Sequence, residues 1–221
     1  MAPMRPLTRG KGRLALVLAT WLVAGCATAR VDAPEGGAGR ITALVGEAVV
    51  VRPGITRAQS LGVESRVFAR DRIQTREESR AQITLADQSV MSIGERTDVE
   101  IQEFRFDASS RLRNLLVRIG QGIMRMNASS TAATGPVNLS ANLASVTFSG
   151  TEAVVEVTPS RTAVASLEGR VRVTSTQPGI TGAVELRPGE GTDVDAGAAP
   201  KPAAVWGAAR LERVKQATRV P

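Results

Sequence analysis

Apolar and polar residues alternate along most of the chain between residues 40 and 196, in short segments separated by turn-forming residues at roughly every 8–12 positions. Between residues 66 and 85, odd positions hold Val67, Ile73 and Ile83, whereas several even positions hold arginine. Successive side chains of a strand point to opposite faces, so we expect the apolar set to face a core and the arginines to face water. The pattern predicts an all-β domain over residues 40–196.

We predict strands around Ile41–Val45, Val67–Thr75 and Ala81–Leu85, and at Val90–Ile93, Val99–Phe106, Leu115–Ile119, Ile123–Met126, Ser145–Thr147, Ala153–Val157, Thr162–Leu167, Val171–Thr174, Val184–Leu186 and Asp193–Asp195. The pattern of glycine, any, apolar, any, apolar recurs at Gly46, Gly122 and Gly169. Short strands that each begin at a glycine suit a single domain of antiparallel or stacked strands, as in a solenoid-like or rolled sheet. A β-sandwich is the alternative.

The segment from Ala203 to Thr218 has helical rather than alternating periodicity. Its apolar residues are Val205, Trp206, Ala209, Leu211 and Val214, set among basic residues. This pattern predicts a short amphipathic helix within a basic tail, residues 197–221. The helix could pack on the sheet, lie on a membrane or bind a partner, and its small apolar face favours packing or a partner over a membrane.

The first 26 residues consist of a basic head with Arg5, Arg9, Lys11 and Arg13, an apolar run from Leu14 to Ala24, and small residues before Cys26. The apolar run is shorter than the roughly 20 residues that span a bilayer. This arrangement resembles the signal peptide of bacterial lipoproteins.

The resemblance implies that residues 1–25 are removed after Gly25 and that Cys26 carries lipid. Ala27 follows the cysteine where an aspartate would retain the protein at the inner membrane, which implies an outer-membrane anchor facing the periplasm. Residues 26–39 are poor in apolar residues and are predicted to be a flexible tether on the order of 20 Å long.

Composition limits the chemistry that the chain can perform. Cys26 is the only cysteine, and histidine and tyrosine are absent. A serine hydrolase of the Ser-His-Asp kind is therefore excluded, and catalysis would depend mainly on carboxylates. The pairs Asp98 with Glu100 and Asp193 with Asp195 lie on common strand faces, which is more typical of a charged surface. We predict no enzyme, no catalytic residue, no metal site and no cofactor.

The formal net charge of +7 arises at the two ends of the chain. Residues 1–25 hold four cations and no acid, and residues 197–221 hold five cations and one acid. The body between them is close to neutral, with aromatic residues only 3% of the chain. Nucleic-acid binding would require clustered cations on the folded body, so no nucleic-acid partner is expected.

Several short segments follow one another in a specific order between residues 41 and 196. They are Gly46–Val50, Val67–Arg76, Ser79–Ser89, Ile93-Gly94, Val99–Asp107, Leu116–Gly122, Ser149–Val157 and Leu167–Val173. In this order they resemble the FecR domain family. The chain departs from the family pattern at Arg70, Arg76 and Gln88, where glycine is usual, and at Ser149, where arginine is usual. A residue with a β-carbon costs roughly 1–2 kcal/mol in a left-handed turn, so looser or different turns are expected at the first three positions.

FecR proteins proper are anti-sigma regulators with a cytoplasmic domain, and we expect no such domain before the apolar run here. The resemblance therefore implies the exported half of that system: an envelope-anchored, non-catalytic binding, adaptor or sensor module, with an envelope protein or cell-wall polymer as partner.

Three alternatives remain open: a peptidoglycan or polysaccharide binder, an assembly component of an export system, and a carboxylate enzyme. A cell-wall binder would use an arginine face formed by Arg66, Arg70, Arg72, Arg76 and Arg80, because guanidinium groups bind carboxylates and phosphates well. A solvated strand face is the commoner role for such charges.

Overall fold

The computed structural model describes residues 37–128 and 131–221. Within these ranges the chain forms seventeen strands and one helix. The strands are β1 Gly39–Val45, β2 Ala48–Val51, β3 Gln59–Leu61, β4 Arg66–Val67, β5 Arg72–Thr75, β6 Arg80–Leu85, β7 Val90–Ile93, β8 Asp98–Asp107, β9 Leu112–Asn127, β10 Val137–Ser140, β11 Ala144–Phe148, β12 Glu152–Val157, β13 Arg161–Glu168, β14 Val171–Ser175, β15 Ala183–Leu186, β16 Glu190–Asp195 and β17 Ala204–Val205, and the helix is α1 Ala208–Ala217. The predicted signal peptide, its cleavage after Gly25, the lipidation of Cys26 and most of the tether lie outside the described residues.

The strands pair into two sheets that share β9. The first sheet runs β4-β1-β6-β7-β9-β12-β13-β16-β17 and the second β3-β2-β5-β8-β9-β10-β11-β14-β15. All of these pairs are antiparallel except β9 with β10. The apolar sides of both sheets contribute to one continuous core, which includes Ile83, Met124, Ile101 and Val146. The prediction of an all-β domain with a C-terminal helix is confirmed. Strand β9 belongs to both sheets and connects one to the other.

Strand β9 merges two strands that the sequence pattern separated. Its first part pairs with β8 in the second sheet, and from Gly122 onward it pairs with β12 and β7 in the first. Gly122 has a φ of 92°, and a β-carbon there would collide with the side chain of Thr97. The glycine that suggested a break therefore allows the strand to change sheets.

Helix α1 packs on the outer side of the first sheet. Val214 of the helix and Trp206, which lies just before the helix, are buried against Ile123, Val154 and Ala165. Trp206 occupies space that a β-carbon on Gly191 would fill. Of the three roles left open for this segment, the structure therefore supports packing on the sheet. Among the described residues, no helix has the length and apolar character needed to cross a membrane.

Candidate functional site

Asp71, the acidic residue of the FecR-like segment Val67–Arg76, is buried and held in place by its neighbours. Its carboxylate accepts a hydrogen bond from the backbone N–H of Phe68 at 3.0 Å and another from Nε of Arg52 at 3.1 Å. The Arg52 guanidinium also donates to the backbone carbonyl of Arg66 and lies 5.1 Å from the centre of the Phe68 ring. Asp71 thus fixes the turn that connects β4 to β5.

Asp87 and Ser89, from the FecR-like segment Ser79–Ser89, form a buried polar cluster with Arg113 of β9. The Asp87 and Arg113 side chains are both fully buried, and Nη1 of Arg113 lies 2.8 Å from both Oδ2 of Asp87 and Oγ of Ser89. Nη2 of Arg113 donates to the carbonyl of Gly135 at 2.9 Å. A buried charge pair of this kind depends on hydrogen bonds from its surroundings, and here the turn and the neighbouring loop supply them to both terminal nitrogens of Arg113.

These motif residues therefore stabilise the fold and are not available to a ligand. Sequence reasoning missed the Arg113 cluster, although a signal was present. Arg113 is in phase with Leu115, Val117 and Ile119, the inward positions of the same strand. An arginine at an inward position requires a buried acidic partner, and Asp87 provides it.

Two of the residues that replace the usual glycines keep the left-handed conformation. Arg70 has a φ of 69° and Gln88 a φ of 65°, so the expectation of looser or different turns is wrong at both positions. The paired strands on either side of each turn, and the hydrogen bonds that Asp71 and Asp87 accept, hold these residues in the left-handed conformation despite its conformational cost. At the third turn the left-handed residue is Glu78, two positions after Arg76.

The five arginines proposed as a binding face do not form one face. Arg72 lies on the outer side of the second sheet, whereas Arg66 and Arg80 lie on strands of the first sheet. Arg70 and Arg76 lie in turns. Four of them line four different open clefts: Arg66, Arg70, Arg76 and Arg80. A contact shared by all five would require a ligand that reaches around the domain.

The outer side of the second sheet is an open, polar surface. Across strands β5, β8, β9 and β10, the residues Arg72, Glu100, Arg118 and Ser140 lie side by side in the pairing register. We call these four residues the charged row. Uncharged side chains continue it across β11 and β14 through Ser145 and Thr174. The corresponding side of the first sheet differs because helix α1 covers part of it.

Asp98, next to the charged row, is held by two neighbours on β5. Nε of Arg72 donates to Oδ1 of Asp98 at 2.8 Å, and the Gln74 amide donates to Oδ2 at 3.1 Å. Burial raises the pKa of the Asp98 carboxyl, but the hydrogen bonds from Arg72 and Gln74 outweigh burial and lower the pKa below its ordinary value. Asp98 is therefore a carboxylate near neutral pH.

The two carboxylate pairs considered for catalysis are largely committed to ion pairs. In addition to Asp98 with Arg72, Asp193 binds Arg210 of α1 at 2.7 Å and Asp195 binds Lys201 at 2.7 Å. Arg210 and Lys201 thus tie the C-terminal segment to β16, which is a structural role. Within residues 37–128 and 131–221, no three histidine, cysteine, aspartate or glutamate residues are grouped so as to hold a metal ion.

Residues 71–172, from β5 to β14, match the family model described as FecR protein. The prediction of a FecR domain is confirmed, over a shorter range than the residues 41–196 that the resemblance covered.

Two crystal structures of a proposed anti-sigma factor from Parabacteroides distasonis have the same fold over part of their length. Each has a TM-score of 0.52 and 21% sequence identity, with 66% of this chain and 64% of that chain covered. The chain thus spans somewhat less than two thirds of the structures that it matches. No curated protein matches it in sequence.

Proposed function

We propose that this protein is a non-catalytic adaptor or sensor module, anchored in the bacterial envelope by lipid on Cys26, that binds an envelope protein. The FecR family and the anti-sigma description of the structural neighbours are regulatory and not enzymatic, which supports a binding role. The lipoprotein-like segment that ends at Cys26 supports the anchor, and Ala27 supports delivery to the outer membrane.

The observation that carries the proposal is the uncovered charged row. Arg72, Glu100 and Arg118 all lie within the matched residues 71–172, on a sheet surface that α1 leaves open. Alternating charges on such a surface orient a partner whose charges alternate in the opposite order. We therefore place the partner contact on the outer side of the second sheet.

The test is cross-linked affinity purification of the lipid-anchored protein from envelopes, followed by mass spectrometry. A Cys26→Ser form reports on the anchor, and an Arg118→Glu form reports on the charged row. Arg170→Glu is the matched control, because Arg170 is exposed in the turn between β13 and β14.

The proposal predicts one protein partner that Arg118→Glu reduces and Arg170→Glu leaves unchanged. If the Arg118→Glu and Arg170→Glu forms recovered equal amounts of the partner, the partner contact would not lie on the charged row. Recovery of wall or polysaccharide fragments alone would favour the polysaccharide-binding alternative, and a stable one-to-one complex with an export protein would favour the assembly alternative.

A further inference from the structure

The described chain begins at Gly37, between two clefts that each contain arginine. Gly37 lines both clefts, and a β-carbon on it would lie 3.0 Å from the carbonyl oxygen of Val67 and 3.6 Å from the Phe68 ring. The cleft on one side contains Arg40 and Arg66, and the cleft on the other contains Arg70 and Arg105. Four guanidinium groups thus flank the place where the tether joins the folded body. We call these four residues the basic edge.

The basic edge carries more positive than negative charge. Arg40 pairs with Glu64 at 3.5 Å and Arg105 pairs with Glu103 at 3.1 Å. Within the described residues, the side chains of the exposed Arg66 and Arg70 form no ion pair.

Arg66 also lies directly opposite Arg40 in the β1–β4 register. Like charges in this position repel each other, and an anion bound between them would relieve the repulsion. Guanidinium groups bind phosphate oxygens through paired hydrogen bonds, and phosphate is therefore an anion that suits this edge.

The position of Cys26 indicates where phosphates would come from. Gly37 is eleven residues along the chain from Cys26, so even a fully extended chain spans at most about 40 Å between them. With lipid on Cys26, the basic edge would be held within about 40 Å of the bilayer surface. This step rests on the lipid anchor in the proposed function.

We propose that the basic edge binds the phosphate headgroups of an anionic bilayer and thereby orients the domain on the membrane. Arg40 and Arg66 of the basic edge lie on strands of the first sheet, whereas Arg105 lies on β8, on the same outer side of the second sheet as the charged row. Each arginine near an anionic surface contributes about 1 kcal/mol, or about fivefold in partitioning. The contact is screened by salt because it is made by exposed charges.

The experiment uses residues 26–221 with Cys26→Ser, which retain the whole described body and carry no lipid. Sedimentation is measured with vesicles of phosphatidylglycerol and phosphatidylcholine, and with vesicles of phosphatidylcholine alone. The test variant is Arg66→Ser with Arg70→Ser, and the control is Arg170→Ser with Arg187→Ser, which removes the same charge from exposed positions outside both clefts. Thermal unfolding of both variants verifies that they fold.

We expect the protein to bind the anionic vesicles and high salt to abolish this binding. The test variant should lower partitioning onto these vesicles about 25-fold, and the control variant should lower it less than twofold. Equal losses in the two variants, or equal binding to neutral vesicles, would overturn the proposal. Sedimentation with purified peptidoglycan that depends on Arg66 and Arg70, without vesicle binding, would also overturn it.

The anchor is tested separately by the mass of the mature N-terminal peptide. An unmodified Cys26 with retained vesicle binding would refute the anchor while supporting the basic edge as a membrane contact. A lipidated Cys26 without vesicle binding by the soluble form would refute the basic edge alone.

Discussion

Removal of one member of the buried Asp87–Arg113 pair should destabilise the protein far more than removal of both. Asp87→Ala leaves the Arg113 guanidinium fully buried with its charge uncompensated, and Arg113→Met leaves the Asp87 carboxylate in the same position. Each single change is expected to cost about 3–5 kcal/mol of unfolding free energy, because the remaining charge is neither hydrated nor paired.

The double variant should be more stable than either single variant, since it buries no unpaired charge. The coupling energy between the two changes, which is the double loss minus the sum of the single losses, then exceeds in magnitude the cost of one single change, about 3–5 kcal/mol. The remaining loss reflects the bonds that Arg113 makes to Ser89 and Gly135, together with the cavity left by the shortened Asp87.

Urea unfolding of the wild type, the two single variants and the double variant measures this coupling. Arg172→Met is the matched control: Arg172 is also a strand arginine in an ion pair, but its side chain and that of Glu185 are 57% and 63% exposed. Its loss should cost at most about 1 kcal/mol. Additive losses in the double variant, or a single-variant loss no larger than that of the control, would show that the pair is hydrated and the reasoning wrong.

Three further outcomes are expected. Trp206→Ala should cost about 3 kcal/mol in urea unfolding, because Trp206 anchors the C-terminal segment to the sheet; no change would mean that the segment is detached. Gln88→Gly should raise stability by about 1 kcal/mol, since it relieves a left-handed residue; a loss would refute strain there. Because folding lowers the pKa of Asp98, its contribution is present above the ordinary value of 3.8 and lost as pH falls through the folded pKa. The pH dependence of unfolding below pH 4 should therefore flatten in Asp98→Asn, and an unchanged profile would contradict this.

The fold could be predicted from sequence because strand alternation is a local signal. Strand β7 was predicted with its observed bounds, Val90–Ile93, and most other strands were predicted within a few residues. Two features depended on tertiary structure instead. Strand β9 continues through Gly122 because that glycine fits against Thr97. The short strands β3, β10 and β17 were missed because each is held by pairing with a neighbouring strand.

The arrangement of the arginines could not be predicted, because alternation within a strand does not say which sheet the strand joins. Arg72 and Arg80 lie eight residues apart with the same inward or outward phase, yet β5 joins the second sheet and β6 the first. Arginines that share one face in the sequence pattern therefore lie on several surfaces of the folded domain. The roles of Asp71 and Asp87 could not be predicted for a related reason, since their burial depends on residues that the fold brings to them from elsewhere in the chain.

The two sheets of this domain are specialised by their outer surfaces. Gly191 on the first sheet leaves room for Trp206, and Val154 and Ala165 give the helix an apolar surface, so this side is closed by the chain itself. The second sheet instead presents the charged row, whose residues hydrate well and need no intramolecular cover. A partner that binds the row would meet a preformed surface on a rigid sheet, without displacing any part of the chain. Binding there should accordingly leave hydrogen exchange in α1 unchanged, whereas a partner that replaces the helix would increase it.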